Sequence, residues 1–340
     1  MRKTKLLLSL GVATLAGLSL ASCSKDSADI EVGILQYTTH TALDKATNGF
    51  KEALTKKAEE AGKTIKFVYK NPEQDQASML TMANQLVRDC DLVLGNATPA
   101  ATQLISSRQT EGKLDLPILF TSVTDPVSAG LVSAMSGSAH TENVTGTSDL
   151  NPVSAQMDLI KNFDSTVEKI GFIYNVSETN SEVQVDSCKE YLKSKYPSIE
   201  IEEKNVNEQG QISATVTSLI KEDKDHKACD AIYIPTDNLM ASNMTTITNV
   251  TNPAKVPVFT GESGMVDSGG TMTISISYYE LGYTTGEQAA QILFDGKSAS
   301  SIDVVTQTDA SKMEFAYNAS AMTQMNLTFT DEFKTKYSIK

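Results

Sequence analysis

The 340-residue chain contains no tryptophan, only three histidines and four cysteines, and fewer basic than acidic side chains, 29 against 42. Each shortage removes a class of function. His40, His140 and His226 form no HExxH pattern and no His/Cys cluster at metal-ligand spacing, which disfavours a structural zinc or a metallohydrolase. No metal and no other cofactor is expected. The net charge of −13 leaves no basic surface for a phosphate backbone, so nucleic acid is not an expected partner. Neither GxxxxGK[ST] nor GxGxxG occurs, and with them go the usual cradles for nucleotides and dinucleotides. GxSxG is missing too, because Gly261-Glu-Ser-Gly264 has the wrong spacing for a nucleophile elbow. No carboxylate pair stands out from the acidic background as a glycosidase dyad. Together these absences favour binding without turnover, and no enzyme is expected.

Long apolar runs are also lacking. Leu6 to Leu20, about 15 residues, falls short of the ~20 needed to span a bilayer. Preceded by Arg2, Lys3 and Lys5, it has the form of a signal peptide over residues 1–22. The run ends in Leu20-Ala21-Ser22-Cys23, similar to the lipobox of bacterial lipoproteins, in which the cysteine thiol takes the lipid and becomes the first mature residue. Cys23 is therefore the expected lipidation site, and residues 23–31 a polar tether that holds an exported protein at the membrane. Loss of the three basic residues takes the mature charge to about −16. Three thiols then remain, Cys90, Cys188 and Cys229, with no CxxC spacing. They read as small buried hydrophobes, with a Cys188–Cys229 bridge as the alternative.

What is present is a rhythm. Short β-branched runs alternate with helical patterns along the whole chain, as in α/β proteins built on parallel sheets. Val32 to Tyr37 reads as a strand; Leu43, Ala46, Phe50, Leu54 and Ala58 then recur at helical spacing. Further strands are expected at Ile65–Tyr69, Leu92–Gly95 and Pro117–Thr121, with a helix over Ser78–Arg88. The pattern repeats at an offset of about 138 to 140. Val32-Gly-Ile-Leu-Gln-Tyr37 matches Ile170-Gly-Phe-Ile-Tyr-Asn175; Asp91-Leu-Val-Leu matches Asp230-Ala-Ile-Tyr; Pro117-Ile-Leu-Phe matches Pro257-Val-Phe. Three colinear landmarks indicate two lobes of like topology. Such length also suits two domains at ~100–200 residues each.

In open parallel sheets, ligands sit beyond the carboxyl ends of the strands, where helix N-termini present free N–H groups. Thr98 is expected to cap a helix with Pro99 at its first position, and Thr121 to add a hydroxyl to the same rim. Asp237 is the expected counterpart of Thr98 in the second lobe, with Thr236 beside it and Glu262 after the next strand. A neutral half-site facing an anionic one suits a zwitterion, its carboxylate on the first lobe and its ammonium on Asp237. Gln36, Tyr37, Tyr174 and Asn175 end the first strand of each lobe, and Tyr278 and Tyr279 precede a helix over Glu280–Phe294. Of these, Gln36, Tyr37, Tyr174, Asn175 and Tyr278 join the candidate ligand contacts, with aromatic rings available to pack an apolar side chain.

With these features in place, the chain resembles ABC-transporter substrate-binding lipoproteins, in particular the family of the tryptophan/tyrosine-type binding proteins. The resemblance is carried by Gly33-Ile-Leu-Gln-Tyr37 with His40 and Ala42-Leu-Asp44, Ala97-Thr-Pro-Ala100, Val123-Thr-Asp-Pro-Val127, Asn143-Val-Thr-Gly146 with Ser148-Asp-Leu150, Pro235-Thr-Asp-Asn238, and Tyr278-Tyr-Glu-Leu-Gly282. It implies a periplasmic-binding-protein type I fold whose lobes are linked by three crossovers and close on the ligand. The first lobe is expected at 32–149 plus about 277–301, the second at 150–276 plus about 302–340. The implied ligand is an aromatic amino acid, and the implied partners are the subunits of an ABC permease, with the receptor itself a monomer. Ser277 departs from the family pattern, which has an acidic residue before the tyrosine pair. Alternatives are a lipoprotein that senses a ligand and signals without transport, or a receptor for another small solute. A LacI-type regulator would share the fold, but the export signal and the missing DNA-binding headpiece argue against it.

Overall fold

The structure is a computed structural model that describes residues 28–137, 142–307 and 313–339. The signal peptide, Cys23 and the first part of the tether lie outside the described residues, as does His140. The chain begins with β1 (Ile30–Gln36), α1 (Thr41–Glu60), β2 (Ile65–Lys70), α2 (Gln76–Asp89), β3 (Leu92–Asn96), α3 (Thr98–Thr110), β4 (Ile118–Val123) and β5 (Val144–Ser148). A second series follows: α4 (Val153–Phe163), β6 (Lys169–Asn175), α5 (Thr179–Lys195), β7 (Glu200–Val206), α6 (Ile212–Ile220), β8 (Ala231–Ile234), α7 (Asn238–Ser242) and α8 (Met244–Ala254). Next come β9 (Val258–Thr260), α9 (Ser263–Asp267), β10 (Met272–Ser275) and α10 (Tyr278–Leu293). The last elements are β11 (Val305–Thr306), β12 (Glu314–Tyr317), α11 (Ala319–Met325) and α12 (Asp331–Lys336).

The strands form two six-stranded sheets, ordered β11-β5-β4-β3-β1-β2 and β12-β10-β9-β8-β6-β7. All pairings are parallel except β10 with β12. This is the two-lobed α/β architecture expected from the repeat. Central strands such as β3 and β4 are buried along their whole length because helices cover both faces. The edge strands β2 and β7 alternate and carry Lys66, Lys70, Glu202 and Lys204, charges that discourage pairing with another chain. In the first lobe, Phe50 and Leu54 of α1 and Ala289 of α10 pack on one sheet face, Leu86 and Leu104 on the other. Each large apolar side chain removed from water this way contributes ~1.5–3 kcal/mol.

Helix α10 belongs to the first lobe although it follows β10 of the second. Its Gly282 and Gly49 of α1 let the two helices touch backbone to backbone; a methyl group at either would overlap the facing carbonyl. The chain returns to the first sheet at β11, where Val305 and Thr306 pair with Thr147 and Ser148. The third crossover therefore falls after Thr306 and not near residue 301, because β11 is an edge strand of two residues too short to announce itself. Cys90, Cys188 and Cys229 are free and buried, so no Cys188–Cys229 bridge forms. Burial pushes each thiol up to about 12.

Candidate functional site

The carboxyl ends of both sheets face one another, and between them lies a narrow cavity. The space free of protein atoms is about 280 Å3, of which only about 10 Å3 is wide enough to take the centre of a water molecule. The first lobe contributes His40 and Leu43 from the start of α1, and Ser122 and Thr124 from the end of β4. The second contributes Asn180, Thr236, Asp237, Asn238, Ala241, Glu262 and Met265. Asp149 and Tyr278, on the two segments that cross between lobes, close the floor. A second hollow, with about 810 Å3 free of protein atoms, lies beside Ser277, Glu280 and Glu314, but polar atoms without partners gather only in the first.

Among the described residues thirteen buried side-chain atoms make no hydrogen bond, and six of them line the first cavity: His40 Nδ1, Ser122 Oγ, Thr124 Oγ1, Asp149 Oδ1, Asn180 Oδ1 and Thr236 Oγ1. A buried polar group left unsatisfied costs ~1–3 kcal/mol, so their convergence marks a surface built for a polar ligand. Leu43, Ala241 and Met265 add an apolar wall.

Local rules explain how each group is aimed. Asp237 is the N-cap of α7: Oδ1 accepts from Met240 N at 2.9 Å, while Oδ2 accepts from Asn175 N at 2.7 Å and Ser181 Oγ at 2.8 Å. Burial, and then the nearby Glu178 charge, raise its pKa. Glu262 caps α9 in the same way, accepting from Gly264 N and from Met265 N. Burial lifts it to about 7. Ser122 has a left-handed φ of 56° where the β4–β5 register slips between Phe120 and Val123. Such irregularities re-aim side chains beside functional sites. His40 is the N-cap of α1 without making a capping hydrogen bond, and its Nε2 meets Asn238 Oδ1 across the cleft at 3.3 Å. Burial depresses the His40 pKa to about 4, so the ring is neutral at ordinary pH. Tyr278 donates from its hydroxyl to Asp149 Oδ2 at 2.6 Å. The Thr124 hydroxyl stands beside the same carboxyl, near enough to oppose the rise that burial imposes on it but outside hydrogen-bonding geometry.

Thr236, Asp237, Glu262 and Tyr278 thus line the cavity, and the other candidates have other duties. Gln36 is buried in its own lobe, donating to Thr38 O and Asp44 Oδ1 and accepting from Thr47 Oγ1. Thr121 is tied to Thr147 at 3.0 Å, because the slip in β4 hands the cleft to Ser122. Tyr174 points along the sheet to Glu203 Oε1 at 2.5 Å. Asn175 supports Asp237 through its backbone. Tyr37 stays outside the lining, although burial first and then the charges of Glu178 and Asp237 push its hydroxyl to about 12. Thr98 is the first residue of α3, one position past the cap. Ala97 holds that cap with φ 90°, so Ala97 and not Thr98 is the counterpart of Asp237. Tyr278 starts α10 itself, and Ser277, the departure from the family pattern, is its N-cap. Sequence reasoning passed over His40, Ser122, Thr124, Asp149 and Asn180 as ligand contacts. His40 alone left a trace: histidine at a helix start where Ser, Thr or Asp is usual.

Four matches to known proteins bear on this cleft. A protein-family model described as ABC transporter substrate binding protein matches residues 31–337. A tyrosine-binding protein of Clostridioides difficile strain R20291 is 35% identical over 322 residues, covering 90% of this chain and 89% of its own. The crystal structure of an ABC domain from Streptococcus pneumoniae in complex with L-Trp superposes with a TM-score of 0.79 at 32% identity, covering 91% of this chain and 98% of that one. The ligand-free, open structure of a substrate-binding protein with adhesive properties from Clostridium difficile gives 0.66 at 33% identity, covering 89% and 96%.

Proposed function

Because the chain belongs to the ABC transporter substrate-binding protein family, a family of extracytoplasmic, non-enzymatic receptors, we propose that it captures an aromatic amino acid between its lobes and presents it to an ABC importer. One observation carries this reading: the inter-lobe cavity combines unpartnered polar atoms with an apolar wall. An aromatic α-amino acid has the matching parts. Its carboxylate accepts from hydroxyls of the Ser122 and Thr124 kind, its ammonium meets the acidic side of the cleft, and its ring lies against Leu43, Ala241 and Met265. The names of the relatives, one tyrosine-binding and one in complex with L-Trp, point to the same ligand class.

Closure is the useful step. With so little free volume between the lobes, the ligand enters an opened cleft, and the closed form carries a surface contributed by both lobes to the permease. Lipidation at Cys23 would keep this receptor at the membrane, with the acidic tether giving it reach.

The test is a thermal-shift panel of amino acids, purines and sugars on the mature protein. Ligand at 100 times Kd stabilises by ~2.7 kcal/mol, so aromatic amino acids are expected to stand out. Since the chain has no tryptophan, bound L-tryptophan also reports through its own fluorescence. A panel in which no aromatic amino acid raises the Tm sinks the reading.

A further inference from the structure

Four buried carboxyl groups stand at or beside the cleft, and they differ in what their oxygens already hold. Asp237 and Glu262 each spend both oxygens on backbone or side-chain donors of their own lobe. Glu178 does the same, accepting from Asn238 N at 3.1 Å, Asn238 Nδ2 at 2.6 Å and Leu239 N at 3.1 Å. Asp149 is different. Its Oδ2 takes the Tyr278 hydroxyl, while Oδ1, fully buried and facing the cavity, has no partner.

The Thr124 hydroxyl stands beside the carboxyl without a geometric hydrogen bond to it, and the other unpartnered groups of the cavity leave room for a stronger donor. Asn238 gives its Nδ2 to Glu178, so its Oδ1 is the atom that faces His40. His40 Nε2 must therefore carry the proton, which leaves Nδ1 a bare acceptor. Asn180 Nδ2 donates to Thr236 O at 2.7 Å and leaves Oδ1 bare as well. Thus the unpartnered atoms other than hydroxyls are all acceptors, and one belongs to a carboxylate. A neutral donor would leave that charge uncompensated in a buried site, whereas an ammonium supplies both the N–H groups and the charge.

Asp149 is also held by both connecting segments. Its backbone N donates to Val123 O at 3.1 Å, and its carbonyl accepts from Asn151 Nδ2 at 3.1 Å. Asn151 Oδ1 in turn accepts from Ile276 N at 2.9 Å. With Tyr278 from the second crossover, the group is fixed at the hinge, where neither lobe carries it away on opening.

We propose that Asp149, oriented by Tyr278, is the residue that recognises the ligand's ammonium group and makes the cleft select α-amino acids over their des-amino counterparts. The inference rests on the aromatic amino-acid reading of the site. Calorimetric titration of the mature protein with L-tryptophan and L-tyrosine, each beside the matching arylpropionate, tests it. Asp149→Asn is expected to weaken the amino acids about tenfold to a hundredfold and to leave the propionates unchanged. Tyr278→Phe is expected to cause a smaller loss, also confined to the amino acids. Asp237→Asn, which disturbs the wall without touching the ammonium, is expected to weaken both ligand types alike. Equal loss of both types in Asp149→Asn, or no loss of either, overturns the assignment. Should that variant fail to fold, Tyr278→Phe decides by the same criterion. Wild-type protein that binds neither amino acid overturns the parent reading and this one together; wild-type binding with variants that do not discriminate overturns this one alone.

Discussion

Two of the acidic residues in the cleft serve a helix before they serve a ligand. Asp237 holds three donors that would otherwise be buried without a partner, and each such loss costs ~1–3 kcal/mol. Asp237→Ala is therefore expected to destabilise the protein by about 2 kcal/mol or more, and to weaken binding as a consequence. Chemical denaturation would check this: an unchanged midpoint would mean that these hydrogen bonds do not hold the loop. The sequence showed that an acid stood at a strand end, but not how many of its lone pairs were already used. The same holds for Gln36, whose amide is spent on Thr38, Asp44 and Thr47. Residue type tells what a side chain can bind; only its neighbours tell what it still lacks.

At the scale of elements, the boundaries were legible and the details that aim side chains were not. The first four strands and the first two helices follow from apolar periodicity within a residue or two of their observed ends. The irregularity in β4 follows from nothing local, since Thr121, Ser122 and Val123 carry no bulge signal, yet it decides which hydroxyl faces the cavity. Helix α9 illustrates a related effect between elements. A side chain at Gly264 would come within 2.8 Å of Ala42 N and 3.1 Å of Thr41 Cβ at the start of α1, on the opposite lobe. Gly264→Val should block that approach. Expected are an unaltered circular dichroism spectrum and an affinity lowered at least about tenfold, equivalent to ~1.4 kcal/mol. Wild-type affinity in this variant would show that closure does not need the contact.

The whole molecule adds a dependence on pH. In the closed cleft burial raises Glu262 to about 7 and also raises Asp149 and Asp237, with Lys45 opposing the rise at Glu262. Opening returns these acids to water and to their ordinary range. The closed form then binds more protons than the open form, and raising the pH favours opening. His40, depressed to about 4 when closed, acts in the opposite sense, but mostly below its ordinary pKa near 6.5. Between pH 6.5 and 8 the titration of Glu262 and Asp237 outweighs that of His40, which loses the rest of its open-state charge there. Small-angle scattering of the ligand-free protein should give a larger radius of gyration at pH 8 than at pH 6.5; an equal or smaller one would refute the coupling. The exposed Lys45–Asp267 pair, 2.9 Å across the lobes, is screened by solvent and adds little to closure.

The sequence by itself determined the two-lobed α/β plan, the place of the site at the strand ends and the absence of catalytic or metal-binding motifs. These are written in local periodicity, in an internal repeat and in residue types, which need no contact to be read. The tertiary structure alone decided that Asp149, His40, Ser122, Thr124 and Asn180 line the inter-lobe cavity and that Gln36, Thr121 and Tyr174 do not. Whether a polar atom is free depends on partners 60 or 130 positions away, as Asn175 with Asp237 and Asp149 with Tyr278 show. The first pair meets only when β6 and β8 have paired in one sheet, the second only when the chain has crossed between its lobes.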